Sequence, residues 1–457
     1  MAGSPLPLLR TWGRMPAAEL LDRMRVSRPT MMRAIRQHRD EIIVRGSARR
    51  TAYAARRTIR GRRDAFPLYR IDEHGRGAQV GVIDPMYPHG SALALHAEFE
   101  WPLRGDMVDG WFDSLPYPLD DMRPQGFLGR HFARAHAHVL QVEPDPANWS
   151  EDDILHALSL LGSDMPGNYI LGEAAYRLYL DSLLAPEDFL PDDDGKVADD
   201  YLEAAARAMT HGNAGSSAAG EFPKFTSRRL LDGERVHTIV KFSGNDESAG
   251  TRRWSDLLVC EHLALETIST RLHIAAARSQ IIQAGGRTFL EVVRFDRHAA
   301  HGRSPVCTWA AMNDAMIGMR GKDWIAGARR LHALKLIDEK VVDQVARIWH
   351  FGQLIGNNDM HDGNLAFRPG LVLAPVYDML PMLYAPIRGV ELPDRSLNPP
   401  LPVPAELDAW QEAAQAALSF WERAAGDQRI SQGFRTRCED NARIVRRAQV
   451  AAGATQA

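Results

Sequence analysis

The sequence predicts an α+β chain in three parts: a small basic helical head, a strand-rich middle and a helical C-terminal third. Three observations carry that expectation. Residues 1–63 hold sixteen arginines, no lysine and only four acids, an excess of twelve positive charges. From Leu68 to about residue 300, short apolar runs alternate with Gly- and Pro-rich turn signals, as strands do. Beyond residue 300 the apolar positions recur at helical spacing around one polar stretch, IGNNDMHDGNLAF, at 355–367. The boundaries expected are 1–63 for the head, 65–300 for the middle and 301–457 for the helical part.

Charge separates head from body. The whole chain is formally −3, so residues 64–457 carry −15, and a basic head on an acidic body calls for two different partners. No apolar run reaches the roughly 18 residues of a spanning helix, so no membrane partner is expected. The opening MAGSPLPLLRTWGR lacks the order of a secretory signal. Cys260, Cys307 and Cys438 are too far apart for a metal-type spacing and read as reduced thiols, so a cytoplasmic location, with the nucleoid as one place within it, is the expectation.

The head reads as a winged helix-turn-helix over residues 16–57. Pro16 to Met24 makes a short helix, Arg25-Val26 a tight turn, and Ser27 caps a second helix from Arg28 to about His38, with Pro29 tolerated in its first turn. Glu41–Arg45 and Thr51–Arg56 read as two strands around a basic wing. In that arrangement the second helix enters the major groove by its N-terminal residues. Arg28, Thr30, Met31 and Arg33 are the candidates for base contacts. Arg36, Arg49, Arg50, Arg56 and Arg57 are the candidates for phosphate contacts. Residues 60–66 read as a linker.

The middle opens with strands at LYRID, AQVGVI and SALALHA, then a Pro-rich passage and helices near 128–138, 151–161 and 172–184. Asp192-Asp193-Asp194-Gly195 lacks the alternation and distal Glu of a calcium loop and reads as a solvated turn. The segment 212–227, GNAGSSAAGEFPKFTS, is rich in small residues whose amides suit an anionic ligand, and reads as bordered by strands. Val236–Phe242 is a strand carrying Lys241. In the helix expected at 254–272, Glu261 falls within the apolar stripe of Trp254, Leu257, Leu258, Leu265, Ile268 and Leu272. A carboxylate there is costly without a cation, and Lys241 is the natural partner. Thr288–Arg297 is a further strand.

The polar stretch carries the chemistry. Asp359 is followed by Asn364 five residues later and by Asp378 nineteen residues later, around a hairpin that turns at Arg368-Pro369-Gly370. Acid, amide and acid at that spacing are the layout of a protein-kinase active site: a loop Asp for the acceptor hydroxyl, then an Asn and an Asp for Mg²⁺. The same layout leaves open a small-molecule phosphotransferase. Helices near 340–354, 405–424 and 432–450 complete the C-terminal part.

GNNDMHDGNLAF, APVYD, the small-residue loop ending in Lys224, VKFS and VVRFDR together resemble the HipA family of bacterial serine/threonine kinase toxins. The resemblance spans most of residues 65–450. It implies a two-lobed, protein-kinase-like (HipA-like) fold behind the winged head, with ATP and Mg as cofactors and a protein hydroxyl as acceptor. It implies Asp359 as the catalytic residue, His361 through Asn364 as a nucleotide- and metal-contacting segment, and Tyr377-Asp378 as the metal-binding pair. Ala219, Gly220 and Lys224 match the phosphate loop, Lys241 the nucleotide lysine, and Val293, Arg294 and Phe295 the hinge. Ser217 falls where the family has a self-phosphorylated serine. An antitoxin protein and a second copy of the chain are implied partners, and the winged head is an addition. One departure stands out: the family often reads G-x-Q-x-K where this chain has Gly220-Glu221-Phe222-Pro223-Lys224. It favours an alternative, a transcriptional regulator whose kinase fold senses nucleotide with weak or no transfer.

Overall fold

Apolar side chains at Met31, Ala34 and Ile35 share one side of a helical turn, and the basic residues between them take the other. That division organises the head. The computed structural model describes residues 4–63, 65–211, 222–319, 321, 323–387 and 391–454. It divides into two compact units, one of residues 1–125, 132–185 and 302–305, the other of residues 126–131, 186–301 and 306–457.

The first unit begins with α1 (Leu6–Trp12), β1 (Met15–Pro16), α2 (Ala17–Met24), α3 (Arg28–Gln37), β2 (Ile42–Arg45) and β3 (Ala52–Ala55). Its three strands form an antiparallel sheet in the order β1-β3-β2. The helix α1 and strand β1 were not anticipated; seven residues after a proline are too few for a periodicity to register. Leu6, Leu9, Leu20, Met31, Ile35, Ile42 and Tyr53 make the core. Met31, expected at a base edge, is only 1% exposed within that core, so it is withdrawn from the contact set. Its position three and four residues before Ala34 and Ile35 puts it on the inner face.

A five-stranded antiparallel sheet follows, built from β4 (Phe66–Ile71), β5 (Gly77–Pro85), β6 (Ser91–Leu95), β7 (Trp111–Phe112) and β8 (Tyr169–Leu171) in the order β7-β6-β5-β4-β8. The helices α4 (Gly126–Leu140), α5 (Glu151–Leu161) and α6 (Glu173–Leu184) match the expected spans within two residues. Residues 60–66 do not act as a free linker. Ile43, Ala52 and Ala54 of the head pack with Met86, Ala92 and Trp111 of the sheet. The backbone adds two hydrogen bonds, Arg57 N–H to Pro85 O at 2.8 Å and Tyr87 N–H to Ala55 O at 2.9 Å.

Arginines close the seam. Arg45 and Arg56 both reach the buried Asp84 at 3.2 Å, and Arg57 pairs with Glu151 at 2.6 Å and Asp152 at 2.8 Å. Arg60 pairs with Asp153, Arg14 with Asp106, and Arg50 with Asp109 at 3.3 Å. Arg56 and Arg57, expected on phosphates, are therefore held by acids of the same unit. Sequence charge counting overlooked this because the acids lie thirty to ninety residues away.

The second unit carries α7 (Asp194–His211), β9 (Lys224–Leu231), β10 (Glu234–Phe242), α8 (Ala249–Thr267), β11 (Ser279–Ala284) and β12 (Arg287–Val293). The four strands form an antiparallel sheet in the order β11-β12-β10-β9. Val197, Tyr201, Ala205 and Ala208 of α7 pack on Val240, Phe242, Ile282 and Phe289 of one face. The small-residue segment is thus preceded by a helix, not by the strand expected. Asp192 and Asp194 are not merely solvated: they reach the fully buried Arg229 at 3.2 and 3.5 Å, and Arg229 also meets Glu291 at 3.2 Å.

Two-residue strands β13 (Arg297–His298), β14 (Gly302–Arg303) and β15 (Cys307–Thr308) lead into α9 (Trp309–Met312), α10 (Trp324–Ala333) and α11 (Glu339–Leu354). The hairpin of β16 (Ala366–Arg368) and β17 (Val372–Leu373) turns where expected, with Gly370 at φ +76°, and β15 adds a third strand. Helices α12 (Leu407–Gly426) and α13 (Gln432–Ala454) close the unit. Trp421 anchors α12 by donating its indole N–H to Leu354 O at 3.1 Å, the last residue of α11. The three cysteines are buried and form no disulfide among the described residues. Among the described residues no helix is long and apolar enough to cross a membrane.

Candidate active site

Alternation along β10 decides where Lys241 points. Val240 and Phe242 face α7, so Lys241 between them emerges on the opposite face, beside its register partner Lys224 on β9. On that face α8 presents Glu261, which is fully buried. Lys241 Nζ donates to both its carboxylate oxygens, at 2.7 and 2.8 Å. It also pairs with Asp378. The pairing expected from the apolar stripe is present, and a residue 137 positions away completes it. Glu266, on the outer side of α8, instead pairs with Arg423.

These charges shape one another. Burial pulls the Lys241 ammonium down, but Asp378 and Glu261 more than reverse it, so it stays protonated. Burial would raise Asp378; Lys241 and Lys224 bring it below the usual carboxylate value. For Glu261 burial outweighs the pull of Lys241, and its carboxyl is pushed up. One cation between two carboxylates, with a second lysine alongside, is a polar cradle with cationic donors on one side and oxygen acceptors on the other.

The loop after α11 presents the remaining groups. Asn357 accepts a hydrogen bond from the Asp359 N–H at 3.0 Å and directs its own amide N–H to Asp378 O at 3.4 Å. Asn364 donates Nδ2–H to Asp359 O at 2.9 Å, which turns its Oδ1 the other way. Tyr377 donates its hydroxyl to Gly363 O at 2.6 Å, and its ring lies 5.8 Å from that of Phe295. Asp378 sits at φ +53°, a left-handed conformation that a non-glycine residue holds only when its surroundings enforce it. His361 accepts from the Gly363 N–H at 3.1 Å.

The structure therefore gathers Lys224, Lys241, Glu261 and Asp378 in one place, and ties Asp359, Asn364 and Tyr377 to Asp378 through the loop. Val293 ends β12 and Arg294 and Phe295 follow it: Val293 N–H bonds Arg278 O at 2.8 Å, Arg294 N–H bonds His237 O at 2.8 Å, and Arg368 holds Phe295 O at 3.0 Å. The Arg294 guanidinium is taken up by Asp296 at 2.9 Å. Ser217, Ala219 and Gly220 lie outside the described residues. Asn357 was missed, although an Asn two residues before a functional Asp is the spacing of a side chain that folds back on its own backbone. The donor set suits Mg²⁺: Asn364 Oδ1 and the Asp378 carboxylate are hard oxygens that could hold the ion and would leave room for phosphate oxygens and water.

On the head, Arg28, Arg33, Arg36 and Arg49 are exposed and Thr30 is half-exposed. These four arginines form no ion pair among the described residues.

The chain belongs to the HipA family of toxins: a model of the HipA-like C-terminal domain matches residues 216–447, and one of the YjjJ-like toxin middle domain matches residues 62–180. Toxin YjjJ of Escherichia coli (strain K12) is 35% identical over 435 residues, covering 94% of this chain and 95% of that protein. The fold is that of HipA. A chain in the solved complex of Shewanella oneidensis MR-1 HipA, HipB and operator DNA superposes with a TM-score of 0.51 at 16% identity, covering 84% of this chain and 95% of that one. The Helicobacter pylori proinflammatory kinase CtkA gives a TM-score of 0.33 at 13% identity over 51% of this chain and 95% of its own.

Proposed function

We propose that this chain is an ATP- and Mg²⁺-dependent protein serine/threonine kinase of the HipA toxin type with a DNA-binding head. The observation that carries the reading is Lys241, held by Glu261 and Asp378 beside Lys224 and linked through Asn357 to Asp359. Lys241 and Lys224 would neutralise triphosphate oxygens, with Gly220 and Ala219 as the loop over them. Val293, Arg294 and Phe295 would border the base, with Tyr377 against Phe295. Asn364 and Asp378 would hold Mg²⁺, which would supply charge neutralisation for the phosphates. Asp359 orients the acceptor hydroxyl and takes its proton as the hydroxyl oxygen bonds to the γ-phosphorus. The bond from that phosphorus to the β–γ bridging oxygen breaks, and ADP leaves with the electron pair. Catalysis here is positioning and electrostatics.

The head is read as a winged helix-turn-helix, on the order of α2, α3, β2 and β3 and on the exposed Arg28, Arg33, Arg36 and Arg49, with Thr30 beside them. Arg50 keeps a part in it as a rim residue, being shared with Asp109. Binding to its own operator would provide autoregulation. The similar HipA crystallised with HipB and operator DNA supports an antitoxin and DNA as partners; a homodimer would suit a two-fold operator.

Purified protein incubated with labelled ATP, Mg²⁺ and a cell extract tests the reading. Transfer to protein hydroxyls, phosphate on Ser217 by mass spectrometry, and loss of both in Asp359→Asn are expected. Nucleotide binding without transfer would leave a nucleotide-sensing regulator instead.

A further inference from the structure

A buried asparagine far from the loop in sequence holds it from the other side. Asn313 is 1% exposed and opens a π-helical turn, Asn313–Ile317, that continues α9 and stops at Gly318 with φ +71°. Such turns are rare and expose backbone geometry that ordinary helices do not. Three groups of Asn313 are engaged. Its backbone carbonyl accepts from Gly318 N–H at 2.7 Å, its Oδ1 accepts from Met319 N–H at 2.8 Å, and its Nδ2–H donates to Asp362 Oδ2 at 3.0 Å. Asp362 lies between Asp359 and Asn364. The same segment is fastened once more, by β15 against β16 and by Trp309 N–H on Leu365 O at 2.7 Å.

We infer that Asn313 is a positioning residue for phosphoryl transfer: its carboxamide bolts the middle of the catalytic loop to the turn 313–319, so that the loop holds its shape only while that turn is formed. This rests on the kinase reading above. An apolar residue of that size would fill the space, but a side chain that donates to one segment and accepts from another specifies their relative register. Buried and engaged at both its oxygen and its nitrogen, the amide is held from two sides. Among the described residues no hydrogen bond connects Asn313 to Lys241, Glu261 or Asp378, so the lysine–carboxylate cluster is held without it. What it governs is the placement of Asp359 against the acceptor, where misplacement of about 1 Å costs on the order of 100-fold.

The test is a charge-swap series in the full chain. Asn313→Ala and Asn313→Asp are expected to lower kcat about 10- to 100-fold with the KM for ATP unchanged. Asn313→Asp keeps the acceptor for Met319 but puts a carboxylate against Asp362. Adding Asp362→Asn to it restores a donor–acceptor pair in reverse, and most of the lost kcat should return. Asp362→Asn alone still accepts from Asn313, so its amide exchange over 318–319 and 358–364 should match wild type whatever it does to turnover. Amide exchange provides a readout without turnover: peptides covering 318–319 and 358–364 should exchange faster together in Asn313→Asp and slow again in the double variant. Unchanged kcat in both single Asn313 variants, or a double variant no better than Asn313→Asp, overturns the inference. If the wild type transfers no phosphate, the kinase reading fails, and the exchange pattern alone then decides for or against the bolt. The Asp variant is nearly isosteric, so it carries the test if the Ala protein does not fold.

Discussion

Replacing Lys241 with Met removes the cation from a site where Glu261 has no access to water. The carboxylate left behind escapes the cost of a buried charge by taking a proton. Its ordinary value is 4.5, so holding that proton costs about 1.36 kcal/mol per pH unit above it. The penalty is about 1.4 kcal/mol at pH 5.5 and about 4 kcal/mol at pH 7.5. The sign follows from proton counts: the folded variant binds a proton that the unfolded chain has lost, so stability falls as pH rises above 4.5 toward the raised folded value. Asp378 also loses its partner, but it is a third exposed and keeps Lys224 nearby, so its share is small. Thermal melts of Lys241→Met at the two pH values should separate from wild type by roughly 5–10 °C more at pH 7.5 than at pH 5.5. In Lys241→Met/Glu261→Gln there is no proton to take up, and that pH dependence should vanish. A Lys241→Met curve parallel to wild type across this range, or a slope that survives in the double variant, would refute the reasoning.

The head yields two predictions. Met31→Ala should destabilise it by about 2–5 kcal/mol through a core cavity, whereas Arg36→Ala should leave the melt unchanged, weaken duplex DNA binding and reduce the salt slope by about 0.9; a titration at three salt concentrations reads it. Asp84→Ala strands Arg45 and Arg56 and should cost about 3 kcal/mol, with earlier proteolysis between residues 56 and 66; its carboxyl is raised by burial against the pull of both arginines. In the second unit, Tyr201→Phe removes a buried 2.5 Å hydrogen bond to Glu291 and should cost about 1.5–3 kcal/mol in urea unfolding.

Local spacing was enough for the reactive stretch. The Asp359, Asn364 and Asp378 intervals, the Pro369-Gly370 turn and the 3.6-residue stripe containing Glu261 are all short-range patterns, and the hairpin and the Lys241–Glu261 pair agree with them. Length and phase carry such patterns without reference to the rest of the chain. The order of α2, α3, β2 and β3 was legible for the same reason. What the strings of residues did not reveal depends on pairs far apart. Which arginines of the head are held in ion pairs was decided by Asp84, Asp109, Glu151, Asp152 and Asp153, and Met31 turned inward because a helix face must cover a core. Asn357 and Asn313 stand out in no local pattern; folding brought Asp378 and Asp362 within hydrogen-bonding distance of them. A sequence determines periodicity and local turn chemistry because those act over a few residues; the partner of a buried charge or amide is fixed only when the sheet and helices close around it, since desolvation, the force that makes the partner necessary, does not exist in the extended chain.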